Sequence, residues 1–457
     1  MNAHTKASSA ALVALAAEFE AKASDRTLTI GVLGLGYVGL PLAQAFCRQG
    51  FKVLGFDVSE FKVNKLAEGK SYIKHISDTS VTSMRDSGRF EATTDFDRLN
   101  EPDALLICVP TPLDKHRDPD LTYVVGSTEE IAKRLRKGQI VILESTTYPG
   151  TSDEVMKPIL EEKSGLKAGE DFAIAYSPER EDPGNPKFET STIPKVVGAD
   201  SEAEARMAVA IYQAIVPQVV PVRDLRTAEA VKLTENIFRA VNIALVNELK
   251  VIYGAMGIDV WEVIRGAATK PFGFMAFYPG PGLGGHCIPI DPFYLSWKAR
   301  EYGLTTRFIE LSGEINANMP ALVINMVASE LSNRLEKSIK GAKVLLVGLA
   351  YKKNVDDMRE SPSLTLVEML EARGAEVDFY DPYIPEVPYD RDHPEFAGRK
   401  SVDWTRKSLG KYDAALIATD HDNVDYRLLL ETVPFVVDTR DACQMHATEF
   451  SDRIVKA

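Results

Sequence analysis

The chain has 457 residues, of which 45% are hydrophobic and 26% charged, and a formal net charge of -13. That length allows more than one core, and the acidic balance argues against nucleic acid or an anionic membrane as a non-specific partner, which leaves small molecules. The four cysteines (Cys47, Cys108, Cys287, Cys443) stand far apart without CxxC or Cys/His ligand spacing, so no metal and no disulfide scaffold are expected, and a cytoplasmic location fits.

Residues 1–26 contain AALVALAAEFEAKA, an Ala-rich run interrupted by Glu18 and Glu20. It is too short and too acidic for a secretory leader, and a short amphipathic helix or a frayed extension is expected. No apolar run reaches the ~18 residues needed to cross a bilayer. From Thr27 the text TLTIGVLG reads as a strand, LPLAQAFCRQG as a helix and FKVLGFD as a second strand. Between the first strand and the helix, Gly34, Gly36 and Gly39 stand in G-x-G-x-x-G spacing, and Asp57 ends the second strand. Gly34 permits a tight turn, Gly36 lets a pyrophosphate approach the backbone and Gly39 allows close contact of helix and strand. Asp57 would accept hydrogen bonds from an adenosine ribose and repel a 2′-phosphate, which favours NAD over NADP.

Further strands are read in DALLICVPTP, QIVILESTTYPG and DFAIAYSPERED, with a helix near TYVVGSTEEIAKRL. In a parallel open sheet the carboxyl ends of the strands line the ligand crevice, so Thr111, Thr146 and Glu179 are candidates for one cleft; the bland reading is that they cap helices or form turns. Thr227 to Tyr253 contains neither glycine nor proline and has helical periodicity, which predicts a helix roughly 40 Å long. Lys232 and Asn236, four apart, share one side of it with Arg239, either as a solvated face or as a buried polar cluster. The loop GPGLGGHCIPIDP places Cys287 among glycines and prolines, where it is either a packed thiol or a nucleophile on a rigid binding surface. A second strand, loop, helix and strand unit follows in KVLLVGLAYKKNVDDMRESPSLTLVEMLEARGAEVDFYDP, with Lys352, Lys353 and Arg359 where the first unit has its glycines. Such a basic loop can hold phosphate by side chains. Strands are also read in YDAALIATD and PFVVDTR, and residues 383–405 look like a surface excursion. The fold class is therefore α/β, with two Rossmann-like doubly wound domains joined by a long central helix.

A cysteine in such a company has a chemical use. Hydride cannot leave a free aldehyde until a heteroatom has added to it, and a thiolate adds readily, giving a thiohemiacetal and then a thioester that water cleaves. A dehydrogenase that oxidises an alcohol once would need only a base, with Cys287 structural, and a non-catalytic binder of nucleotide sugar or NAD would need neither.

In order along the chain, GVLGLGYVGLPLA, CVPTPL, ESTTYPGT, YSPERE, AEAVKLTENIFRAVNIALVNE, GPGLGGHCIPIDPFYL and GLAYKKNVDDMRES resemble the UDP-sugar 6-dehydrogenase family. The resemblance implies an NAD-binding Rossmann domain at 27–212, a central helical dimerisation domain with the cysteine loop at 213–325 and a UDP-sugar-binding Rossmann-like domain at 326–457. It implies a homodimer or higher homo-oligomer with NAD as cofactor, a UDP-sugar as substrate and a surface-polysaccharide pathway as consumer. It makes Cys287 the nucleophile, Lys232 and Asn236 the oxyanion stabilisers, Asp291 the partner of Lys232 and a water, and Thr146 and Glu179 the residues that position that water. It also implies Tyr37, Val38 and Arg359 at the cofactor, and Lys352, Tyr278 and the glycines Gly282, Gly284 and Gly285 at the sugar nucleotide. His286 and Ile290 stand where the UDP-glucose branch has serine and lysine, and Arg180 stands where it has an aromatic residue and could meet a larger sugar substituent. These departures resemble the branch acting on UDP-N-acetylglucosamine, with the mannosamine and galactosamine epimers as neighbours. His286 either lowers the thiol pKa or packs beneath the loop, and packing is the expectation.

Overall fold

The structure is a computed structural model that describes residues 9–73, 76–114, 118–180, 192–285, 288–389 and 393–457. Two compact units divide the chain, residues 1–235 with 293–305 and residues 236–292 with 306–457.

In the first unit, helix α1 (Ala10–Ser24) begins at Ser9, whose side chain accepts the Leu12 N–H. Its buried Leu12, Ala16, Phe19 and Ala23 fall at helical spacing, so the extension is a packed helix. Then come β1 (Thr29–Leu33), α2 (Gly39–Arg48), β2 (Lys52–Phe56), α3 (Glu60–Ala67), α4 (Asp78–Asp86), β3 (Phe90–Thr93), β4 (Ala104–Ile107), α5 (Thr122–Ala132), β5 (Ile140–Leu143), α6 (Lys157–Ser164), β6 (Ala173–Tyr176), β7 (Lys195–Gly198), α7 (Glu202–Tyr212) and β8 (Val219–Val222). The sheet order is β3-β2-β1-β4-β5-β6-β7-β8. β4, β5 and β6 are buried at every position, as parallel strands covered on both faces must be. One pairing is reversed: β7 runs antiparallel to β6, with Tyr176 opposite Gly198.

Helix α8 (Leu225–Ala255) covers the predicted Thr227–Tyr253 run and starts beside Asp224, whose carboxylate accepts the Thr227 N–H at 2.8 Å. The boundary between the units falls within it. α9 (Val260–Ala268), α10 (Asp291–Glu301) and α11 (Arg307–Leu335) follow. The second unit is completed by β9 (Lys343–Val347), α12 (Pro362–Ala372), β10 (Glu376–Tyr380), α13 (Arg406–Leu409), β11 (Ala414–Ile417), α14 (Tyr426–Thr432), β12 (Val436–Asp438) and β13 (Ile454–Lys456), in a parallel sheet of order β10-β9-β11-β12-β13. The segment read as a surface excursion is partly core, since Ile384, Val387 and Phe396 are buried. Its prolines and charges flank these apolar residues and masked them in the sequence.

Both units turn from first strand to helix with the same device. Gly34 (φ +89°) donates its N–H to the Phe56 carbonyl at 2.8 Å, and Gly348 (φ +86°) donates to that of Tyr380 at 2.9 Å. The next N–H, of Leu35 or Leu349, reaches the aspartate ending the second strand, Asp57 at 2.9 Å or Asp381 at 2.7 Å. A Cβ at Gly348 would lie 2.5 Å from both the Thr419 carbonyl oxygen and its Cβ. Gly348→Ala combines a left-handed backbone with that overlap, and is expected to lower stability by about 3 kcal/mol or more in a denaturant titration. A loss under about 1 kcal/mol would show that the turn relaxes freely.

Candidate active site

The glycine triplet is divided as the spacing suggests. A Cβ on Gly39 would sit 1.9 Å from the Gly34 carbonyl oxygen, so close packing forbids a side chain there, whereas nothing lies within 4 Å of a Cβ on Gly36. The N-cap of α2 is Val38, which offers no side-chain acceptor to the first turn. Open backbone at Gly36 beside an uncapped helix start is the surface a pyrophosphate requires. Asp57 is buried, and besides the Leu35 N–H it accepts the Ser59 N–H at 3.0 Å and Lys62 Nζ at 2.8 Å. The sequence reading missed Lys62, a cation beside the carboxylate expected to meet a ribose. Tyr37 lies half-buried against the core of this unit.

The loops after β4, β5 and β6 hold the other candidates of this unit. Thr111 is buried and its carbonyl accepts the hydroxyl of Tyr294, a fully buried residue of α10. Thr146 is half-buried, next to Glu144, Ser145 and Thr147, which are buried. The Glu179 carbonyl accepts Lys232 Nζ at 2.5 Å, and its carboxylate accepts the Arg180 N–H at 2.7 Å. Arg180 grips Glu235 of α8 with two nitrogens, at 2.5 and 3.3 Å, and donates to the Pro194 carbonyl at 2.7 Å. It therefore braces its own loop.

Three residues here escaped the sequence reading. Lys195, at the start of β7, is buried with Nζ 2.8 Å from Glu144, 3.4 Å from the Pro178 carbonyl and 3.5 Å from Glu179. Tyr212, fully buried on α7, donates its hydroxyl to Glu144. Burial works against the Lys195 ammonium, but the Glu144 and Glu179 carboxylates outweigh it and hold its proton more tightly than an ordinary lysine does. Glu229 of α8 is the third long-range anchor: it accepts the Gly150 N–H at 2.6 Å, the Ser152 N–H at 2.9 Å and the Ser152 hydroxyl at 2.7 Å, pinning the loop that follows Thr146.

In the second unit, buried Asn236 donates to buried Asp291 at 2.5 Å. Lys232, one turn earlier on α8, is also buried, so of the alternatives read from the sequence the buried polar side holds for these two; Arg239 is exposed. Cys287 and His286 lie outside the described residues. The glycines before them press against the loop after β9: a Cβ on Gly284 would be 2.8 Å from Pro362 Cδ and Tyr351 Cβ, and one on Gly285 2.9 Å from the Tyr351 ring. Gly285 donates its N–H to the Arg359 carbonyl at 3.3 Å, and a Cβ on Gly282 (φ +148°) would lie 3.1 Å from Pro362 Cβ. These glycines thus serve protein packing in addition to any ligand. Tyr278 is half-exposed and stacks on Trp261 at 5.7 Å.

The basic loop is less free than its sequence suggests. Lys353 pairs with Asp422 at 3.1 Å and Arg359 with Asp357 at 2.6 Å, while Lys352 is half-buried. Two cations that the sequence reading missed stand nearer the glycine loop: Lys250 donates to the Gly280 carbonyl at 3.2 Å, and a Cβ on Gly280 would lie 2.6 Å from Arg440 Nη1. Burial, helped by Arg440, pushes the Lys250 ammonium down to about 7. Their signal was positional, since Arg440 ends the PFVVDTR strand, but Lys250 is 30 residues from its acceptor.

Residues 28–216, 226–318 and 345–445 match, in turn, the NAD binding, central and UDP binding domains of the UDP-glucose/GDP-mannose dehydrogenase family. The chain is 37% identical over 398 residues to a UDP-N-acetyl-D-glucosamine 6-dehydrogenase of Pseudomonas aeruginosa, covering 87% of this chain and 91% of the relative. It is 36% identical over 413 residues to a UDP-N-acetyl-D-mannosamine dehydrogenase of Pyrococcus horikoshii, covering 87% and 96%. The solved structure of a UDP-D-ManNAc dehydrogenase from Pyrococcus horikoshii superposes with a TM-score of 0.83 at 34% identity, covering 91% of this chain and 96% of that one.

Burial, opposed by the hydrogen bonds from Gly150 and Ser152, pushes the Glu229 carboxyl up to about 7. The folded state therefore binds its proton more tightly than the unfolded state, and this contribution is present in full below about pH 4.5 and lost as pH rises through about 7. The stability of the wild type relative to Glu229→Gln should fall by about 3 kcal/mol between pH 4.5 and pH 7.5 in urea titrations. A constant difference would mean that Glu229 is ionised throughout.

Proposed function

The chain belongs to the UDP-glucose/GDP-mannose dehydrogenase family, and from that premise we propose that it oxidises the C6 hydroxyl of UDP-N-acetylglucosamine to the carboxylate through a thioester on Cys287. It is a nucleotide-sugar dehydrogenase with an NAD-binding domain and a UDP-binding domain. The observation that carries the reading is the burial of Lys232, Asn236 and Asp291, polar groups that a packing role would not select, with Asp291 four residues beyond Cys287 in the chain.

Bound NAD supplies the hydride acceptor, twice per sugar, on the surface formed by Gly34, Gly36, Gly39 and Asp57. Lys232 and Asn236 donate to the C6 oxygen as negative charge develops on it, and charge-directed donors of this kind are worth a few kcal/mol in the transition state. The Cys287 thiolate adds to the aldehyde carbon, and the resulting thiohemiacetal can lose a second hydride where the aldehyde could not. Thr146 and Glu179 orient the water that cleaves the thioester, and Asp291 orders Asn236. Arg440, Lys250 and Lys352 hold the diphosphate, Tyr278 packs beside the sugar nucleotide and Arg359 closes the cofactor side. In all, one alcohol, two NAD and one water give one carboxylate, two NADH and three protons.

Relatives named for the glucosamine and mannosamine sugars stand at 37% and 36% identity. The mannosamine epimer is thus the second reading, and the GPGLGGHCIPIDP loop favours the first. The exposed Phe238, Leu245, Val251 and Ile252 of α8, with Phe308 and Leu311 of α11, support self-association. No described helix is long and apolar enough to cross a membrane, and the proposed setting is cytoplasmic synthesis of a polysaccharide precursor.

Incubation with NAD and each UDP-N-acetylhexosamine, followed by mass analysis, should show two NADH and one uronic acid per sugar consumed. One NADH with a released aldehyde would make Cys287 structural. Cys287→Ser should release acid at least 100-fold more slowly, and acid formation at the normal rate would refute the covalent route.

A further inference from the structure

Each strand of a parallel sheet begins at the edge opposite the one where its neighbours end. The start of a strand is therefore remote from the ligand crevice, and a cation placed there serves no ligand. β7, with β8 parallel to it, is the exception in the first unit. Because it runs antiparallel to β6, with Tyr176 opposite Gly198, the register carried three residues outward sets Lys195 opposite Glu179. The pairing is seen directly, with Lys195 Nζ 3.5 Å from the Glu179 carboxylate and 3.4 Å from the Pro178 carbonyl.

Lys195 has a second counter-ion. Glu144, in the loop after β5, is fully buried, 2.8 Å from the same nitrogen, and receives the Tyr212 hydroxyl. One ammonium thus faces two carboxylates, one sealed in the core and one at the strand-end loop. Among the described residues, the elements packed here contribute Cys108 after β4, Glu144 after β5, Glu179 and Arg180 after β6, Lys195 on β7, Tyr212 on α7, and Lys232 with Glu235 on α8. Among the described residues, Arg180 is engaged by Glu235 and Lys232 by the Glu179 carbonyl, while the Lys195 ammonium forms an ion pair with the Glu179 carboxylate.

We propose that Lys195 is a positioning residue for thioester hydrolysis, its ammonium keeping the Glu179 carboxylate ionised and aimed so that it can take a proton from water. This rests on the reaction proposed above. In that step the water oxygen bonds to the C6 acyl carbon, the C6–sulfur bond breaks, sulfur leaves as the Cys287 thiolate, and the water's proton goes to Glu179. Glu144 is what permits the cation to be buried, since an unpaired ammonium there would lose its charge.

The test uses the full chain and four variants: Glu179→Gln, Lys195→Met, Lys195→Arg and Lys195→Met with Glu144→Gln, the last leaving no lone buried carboxylate. Carboxyl ¹³C NMR titration reads Glu179 directly, its signal assigned by its loss in Glu179→Gln, and needs no turnover. The midpoint should rise by about one pH unit or more in Lys195→Met and in the double variant, and return to the wild-type position in Lys195→Arg. In single turnovers the acid limb of product release should move upward by the same amount, while the first NADH burst keeps its rate. An unchanged Glu179 midpoint in the folded double variant overturns the assignment. A wild type inert toward every UDP-sugar would defeat the functional reading instead, and the titration would still decide what Lys195 does to Glu179.

Discussion

The direction of β7 is the constraint on which the geometry of the first unit turns. The reversal at β7, which β8 shares, brings a strand's beginning to the edge where β4, β5 and β6 end. Lys195 thereby enters the core beneath three loops that carry candidate residues. A buried ammonium is tolerated only with close counter-charges, and Glu144 and Glu179 supply them. The same requirement orders the loop: the Pro178 and Glu179 carbonyls are held by Lys195 and Lys232, and Arg180 is clamped between Pro194 and Glu235. Positions that must be accurate to fractions of an ångström are thus set by buried polar contacts, each of which would be costly to leave unmade.

The two sheets begin with one turn geometry and then part. In each, a glycine at positive φ makes room for the neighbouring strand's carbonyl, and an aspartate at the next strand's end collects the following N–H. Asp57 takes the partly exposed Lys62 as its cation. Asp381 instead meets His421, and both side chains are wholly buried. His421 Nδ1 accepts the Asn354 N–H at 2.9 Å, so its proton sits on Nε2 facing Asp381 at 3.0 Å. The second aspartate is therefore committed to holding the loop after β9. The cations beside the glycine loop of this unit are Arg440 and Lys250.

That glycine loop shows how one residue type answers two demands. Gly284 and Gly285 lie so close to Tyr351 and Pro362 that side chains would displace them, and this contact stiffens the segment leading to Cys287. Glycine in front of the cysteine was read as room for a ligand. Much of that room is filled by the protein itself, so a run rich in glycine is held in place by its neighbours.

Features built from neighbours in the chain were legible in advance. The strand, glycine turn and helix at 27–50, Asp57 at the following strand's end, the helix over 227–253, and the Lys232 and Asn236 pair are patterns within one or two elements, where periodicity and backbone sterics act locally. Lys195 with Glu144, Tyr212 with Glu144, and Glu229 with Gly150 are separated by 51, 68 and 79 residues. No local pattern marks them, because a charged residue on a surface and one in a core have the same letter. The sequence by itself determined the fold class and the cofactor, since backbone conformation and motif spacing are properties of a residue and its neighbours. Only the tertiary structure decided which charges are buried together, because desolvation depends on what the whole chain places around a group.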